Sequence, residues 1–195
     1  FVTGSVATSP FLLESFSGLI GSGIVGAVTA TTYSGPYSIS PATSYDYQGA
    51  GSAVFTLGGM TLGSGRKVRL EIAGGTPGVG YDQLQVNGSV DLGSDAILEL
   101  SLSYLPAQGQ VFILVSNDGI DPVVGTFSGF PEGATTYLGP YPFQISYVGK
   151  TGNDITLTSL SGDPLNEAPS AAPDDYTTSF ESQLAVPSPG VLLND

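Results

Sequence analysis

The chain has no cysteine, no histidine and no tryptophan. Without cysteine there is no disulfide framework, no thiolate metal site and no thiol nucleophile. Without histidine the commonest general base and the commonest transition-metal ligand are both missing, which excludes serine–histidine chemistry. Basic residues are scarce as well: 4 Lys and Arg stand against 17 Asp and Glu, for a net charge of −13. A surface of that sign repels phosphate backbones and anionic lipid, so nucleic acid and membranes are not expected partners. The charge is uneven, since Phe1 to Gly65 carries only Glu14 and Asp46 and no base at all.

What is present reads as a β-protein. The 195 residues are 41% hydrophobic, enough for a core, and 28 Gly and 14 Pro accompany abundant Ser, Thr, Val and Tyr. The chain opens with Phe1 rather than Met, as a processed mature end or a fragment boundary would. The run Phe11 to Ala30 is apolar enough to be scanned as a membrane span, but Glu14 and its Gly and Ser residues argue against insertion.

From about residue 53 the hydrophobic period is two. Val68, Leu70 and Ile72 alternate with Lys67, Arg69 and Glu71, and Leu98, Leu100 and Leu102 alternate with Glu99, Ser101 and Ser103. Leu84 and Val86, then Val90 and Leu92, flank Asn87-Gly88, a strong tight-turn signal. Val111 to Val115 is a continuous apolar run, expected of a strand covered on both faces. Phe143, Ile145 and Tyr147 resume the alternation before Ile155 and Leu157, and no segment has a helical period. Strands at short intervals fit a parallel β-solenoid, with a β-sandwich or jelly roll as the alternative.

Three regions follow: a low-charge N-terminal β segment or cap over 1–52, a main β domain over 53–162, and an extended tail over 163–195. The tail holds Pro164, Pro169, Pro173, Pro187 and Pro189, with six acids and no base. Tyr176 to Phe180, Leu184 to Val186 and Val191 to Leu193 are its extended pieces, too short to enclose a core.

The text Tyr81-Asp82-Gln83-Leu84-Gln85-Val86-Asn87-Gly88-Ser89-Val90, Phe112 to Gly119, Gly125 to Ala134, Ile145-Ser146-Tyr147 and Gly152 to Thr158 resembles the C-terminal segment of β-helical passenger regions in bacterial autotransporters and large surface proteins. That resemblance spans Tyr81 to Leu160 and implies an extracellular parallel β-solenoid without enzymatic residues. Asn166-Glu167-Ala168-Pro169, Asp174 to Thr178 and Pro189 to Asp195 resemble the opening strands of a bacterial cadherin-like repeat, which here breaks off at Asp195.

Acidic and amide residues gather at turns: Asn117, Asp118 and Asp121; Asn153 and Asp154; Asp174 and Asp175. Ca2+ takes six to eight oxygen ligands, which such loops supply, and it is the one cofactor expected. The same residues also suit turns by tolerating left-handed backbone. Glycoside hydrolysis needs two converging carboxyls, but Glu71, Asp82, Glu99 and Glu132 show no pairing in sequence, and no enzyme is expected. Tyr33, Tyr37, Tyr45 and Tyr47 suit a subunit contact better than a sugar platform. Arg66, Lys67 and Arg69 hold three of the four basic charges in one place and are expected to meet the acidic tail or face of another subunit, or to guard an exposed strand edge.

The function expected is that of an extracellular bacterial structural subunit, joining copies of itself head-to-tail into a filament, cell-surface layer or biofilm matrix by donor-strand exchange. Tyr176, Phe180, Leu184, Val186, Val191, Leu192 and Leu193 would fill the neighbour's pockets, with Phe11 to Ala30 as a second candidate donor. The alternative is a fragment of a large adhesin that binds a host, glycan or surface ligand.

Overall fold

The computed structural model describes residues 1–6, 9–14, 17–31, 38–43 and 51–161. All of them lie within one compact unit, Phe1–Asp163, and every regular element among them is a β-strand. In chain order the strands are β1 Ser5–Val6, β2 Phe11–Leu13, β3 Leu19–Gly21, β4 Ile24–Ala30, β5 Ser38–Pro41, β6 Val54–Leu62 and β7 Lys67–Ile72. They continue with β8 Gln83–Val86, β9 Val90–Asp91, β10 Ile97–Leu102, β11 Val111–Asn117, β12 Thr135–Leu138, β13 Tyr141–Gly149 and β14 Asp154–Ser159.

The strands fall into two sheets, and the chain alternates between them. One sheet runs β10-β7-β5-β3, parallel throughout. The other runs β1-β4-β6-β8-β11-β14-β13-β12, with β2 beside β4 and β9 beside β6. From β1 to β11 its pairings are parallel; from β11 through β14 and β13 to β12 they are antiparallel. A parallel partner requires a long return, and the second sheet provides it here: Val25 pairs with Leu57, 32 positions on, and Lys67 with Ile97, 30 positions on.

The period-two pattern sets the inside. On β7, Val68, Leu70 and Ile72 are fully buried, while Lys67, Arg69 and Glu71 are half-buried. They join Phe55, Leu57, Leu84, Val86 and Phe112 in one core between the sheets. Strands β3, β4 and β5, all before residue 52, pair within these same two sheets.

Three local expectations are corrected. Asn87-Gly88 does not reverse the chain: β8 and β9 on either side both run parallel to β6, with the Asn87 amide donating to Leu57 O (2.8 Å) and the Met60 amide to Ser89 O (2.9 Å). The glycine is required by a close approach instead, since a Cβ on Gly88 would lie 2.5 Å from Gly58 O, and one on Gly58 3.0 Å from Ala27 N. Val111 to Val115 is not covered on both faces: Val111 is half-exposed, and a register shift between Ile113 and Val115 turns Leu114 and Val115 inward together. Phe11 to Ala30 contributes β2, β3 and β4, and β4 is held on both sides, by β1 and β2 and by β6, so donating it would dismantle the sheet. No helix among the described residues is long and apolar enough to cross a membrane.

Candidate functional site

The antiparallel pairing of β11 with β14 places the end of β11 beside the start of β14, where the loop 118–121 meets the turn 149–154. Asp154 Oδ1 accepts from the Asn117 amide (2.9 Å), and its Oδ2 accepts from the Thr151 hydroxyl (2.9 Å). Asn117 Nδ2 donates to Asp121 O (2.9 Å), while Asn153 Nδ2 donates to Asp118 O (2.9 Å) and Asp121 O (3.3 Å). Asn153 Oδ1 accepts from the Thr151 hydroxyl (2.8 Å). Five of the residues expected to offer calcium oxygens, Asn117, Asp118, Asp121, Asn153 and Asp154, thus converge. Asn117, Asn153 and Asp154 are buried, and Asn117 Oδ1 and Asp121 Oδ2 are sealed from solvent without a hydrogen-bond partner. No group of three or more Asp and Glu side chains close enough to hold a metal occurs among the described residues, so an ion here would rely on amide and main-chain oxygens.

The other carboxylates have separate duties. Asp82 is buried and ties the sheets together: its Oδ1 accepts from Ala53 N (2.9 Å) at the head of β6, and its Oδ2 from Glu71 N (2.8 Å) on β7. Burial pushes its pKa up to about 7 against those two hydrogen bonds, with a smaller contribution from the charge of Glu71. Glu132 Oε2 accepts from Tyr147 N (2.6 Å). The Tyr147 hydroxyl, whose pKa burial raises to about 12, donates to Phe130 O (2.6 Å) and accepts from Phe127 N (3.0 Å). Glu99 lies opposite Arg69 in the β7–β10 register and takes Lys67 Nζ at 2.6 Å and Arg69 Nε at 3.4 Å. The four carboxyls considered for glycoside hydrolysis therefore hold main-chain amides, bridge two cations or, as with Glu71, stand beside a buried acid.

Arg66 departs from the surface role expected of it. It is fully buried, and its guanidinium donates from Nη1 to Ser17 O (2.5 Å) and from Nη2 to Leu13 O (3.0 Å), Glu14 O (3.1 Å) and Thr31 O (3.0 Å). Leu13 O, Glu14 O and Thr31 O lie where β2 and β4 end and Ser17 O just before β3; Leu13 O accepts from the Thr31 amide (2.9 Å) and Glu14 O from the Ser17 hydroxyl (2.6 Å) as well, so the guanidinium gathers the two strand ends together. The clue in the sequence was the lack of any base before it: no other cation precedes residue 66 to serve that end of the fold. Lys67 and Arg69 remain at the surface, about one third exposed.

The outer sides of β1 and β2 form a sheet edge that no strand among the described residues pairs with. Val6 and Leu12 are 44% and 61% exposed there, with Ile24 also exposed opposite Ser5, and the stretch Phe1 to Leu13 has no charged side chain. At the opposite end the outermost strand is β12, with Tyr137 exposed. An open cleft of about 450 Å3 on the outer face of β11 and β14 is lined by Val111, Ile113, Gly149, Lys150, Thr156 and Thr158, with no carboxylate among them.

The expected donor residues Tyr176, Phe180, Leu184, Val186, Val191, Leu192 and Leu193, the acids Asp174 and Asp175, and the aromatic group Tyr33, Tyr37, Tyr45 and Tyr47 lie outside the described residues. No protein-family model, curated protein or solved structure matches this chain.

Proposed function

We propose that this chain is an extracellular structural subunit, a parallel β-solenoid closed at one end by antiparallel strands, that joins further copies of itself by strand addition at the β1–β2 edge. The observation that carries the reading is that edge: unpaired by any strand among the described residues and without a charged side chain. Exposed strand edges template pairing with another chain, and proteins that stay apart guard them with Lys, Pro or a covering segment. Here Val6 and Leu12 are exposed, the one such guard in the stretch is Pro10 between β1 and β2, and the first base of the sequence is the buried Arg66.

The donor we assign is the segment 163–195 of a neighbouring copy. Tyr176, Phe180, Leu184 and Val186 all fall on even positions, so an extended segment would present them on one face, and no proline interrupts 176–186. Main-chain hydrogen bonds would supply affinity and Phe180, Leu184 and Val186 specificity. A contact of this head-to-tail kind propagates into a filament when it does not close into a ring. A bacterial surface or matrix location goes with that role.

Electron microscopy and light scattering of the full chain, of a chain lacking 163–195, and of Leu12→Lys test the assignment. Leu12 is exposed, so the lysine places a charge on the edge without disturbing the core. Filaments or oligomers in the full chain that are lost in both variants support the reading; a full chain that stays monomeric at high concentration removes it.

A further inference from the structure

We infer that the loop pair Asn117–Asp121 and Thr151–Asp154 is a cation site of the calcium type. This does not rest on the assembly reading.

The starting point is two acceptors with nothing to accept. Asn117 is 5% exposed, and its Oδ1 is sealed and bare; Asp121 Oδ2 is sealed and bare as well. A buried acceptor left unpaired is costly, and in native folds such an atom points to a water or an ion. Rotating the Asn117 amide does not cure it, because Nδ2 already donates to Asp121 O, and the flipped group would set oxygen against oxygen. The carboxamide is therefore fixed, with Nδ2 on the main chain of Asp121 and Oδ1 left bare. Asn153 is fixed likewise, its Nδ2 donating to Asp118 O and Asp121 O, which ties the 149–154 turn to the 118–121 loop.

The donor chemistry selects the ion. Amide, carbonyl and carboxylate oxygens are hard ligands, and the chain offers no thiolate or imidazole for a transition metal. Calcium accepts irregular shells of six to eight oxygens completed by water, whereas magnesium demands near-ideal octahedral geometry. Two carboxylates that attract a cation, Asp118 and Asp121, lie in the loop, in a chain of net charge −13. The competing occupant is one buried water donating to both bare oxygens.

The full chain, stripped with EDTA and titrated with CaCl2, separates the two by calorimetry and thermal unfolding. We expect saturable binding and a Tm rise of about 5 °C or more at about 10 mM Ca2+, as follows for a site with a Kd near 10⁻⁴ M. Asp121→Asn keeps the shape and removes the charge; it should melt in EDTA no lower than the parent and lose the calcium shift. Asp118→Asn, at an exposed position, should weaken the calcium response several-fold even if Asp121→Asn folds poorly. Absence of both heat and Tm shift, or a calcium shift unchanged in both variants, would overturn the site, leaving a water in the first case and an ion elsewhere in the second.

Discussion

Asp82 makes a test of pH dependence with an unusual sign. Most carboxylates that accept amide hydrogen bonds are held below their ordinary pKa, and their proteins lose stability in acid. Here burial outweighs the two amides and raises the pKa from 3.8 to about 7. A group with a raised folded pKa contributes fully below its unfolded value and loses that contribution as pH climbs through the folded value. Between about pH 4 and pH 7 the folded chain should therefore lose stability from this site as pH rises, by about 4 kcal/mol at 1.36 kcal/mol per pH unit. Asp82→Asn isolates the effect, because the remaining acids cancel in the difference. Asn keeps one acceptor and turns an NH2 group toward one of the two amides of Ala53 and Glu71, which costs about 1–3 kcal/mol. Urea unfolding followed by tyrosine fluorescence should show Asp82→Asn clearly less stable at about pH 4.5, with the gap closing or reversing by about pH 8. A difference that stays constant within about 0.5 kcal/mol across that range would refute the assignment of a raised pKa to this carboxyl.

Arg66→Met, which keeps an apolar stem and removes the guanidinium donors, should cost about 3–5 kcal/mol, because Ser17 O, Leu13 O, Glu14 O and Thr31 O lose a shared charged partner; a loss below about 1 kcal/mol in chemical unfolding would mean that water replaces it freely. Gly88→Ala brings a methyl to 2.5 Å from Gly58 O and should destabilise by about 1–3 kcal/mol, whereas Gly129→Ala, with no atom near its Cβ position, meets only the strain of its positive φ; equal Tm values for Gly88→Ala and the parent would show that β6 and β8 separate easily.

The alternation on β7, β8 and β13 was legible because a buried face imposes it wherever the partner lies. The partner itself was not legible. A strand in a sandwich and a strand in a stack of parallel strands show the same period of two, and the neighbour 29 to 32 positions away leaves no local trace, as the pairs Phe55–Leu84 and Val25–Leu57 show. Asn87-Gly88 misled for the same reason: two short strands about a glycine match a hairpin, and only the parallel partner β6 shows that they form one course. The residue types of the loop cluster were readable, but their convergence depended on the antiparallel turn of β14 against β11. Arg66 was misplaced because three neighbouring bases suggest a surface, while burial is decided by carbonyls far away in sequence.

The change of direction at β11 also has a mechanical side. Ladder hydrogen bonds run along the stacking direction, so tension between the two ends of the stack falls on all the bonds of one interface together. From the β6–β7 course to the next, both sheets share that tension, through β8 and β9 on one side and the full length of β10 on the other. Beyond β10 the four-stranded sheet has ended, and the pull passes through Leu84–Val86 against Val115–Asn117, the Asp91–Val124 bridge, the Ser128 amide on Ala96 O, the Gln83 side chain on Ile113 O and the rings of Tyr81 and Tyr104 set edge-on to Phe112. A stretched molecule would part first at that seam, between the parallel strands and their antiparallel end, where a single sheet carries the main-chain pairing.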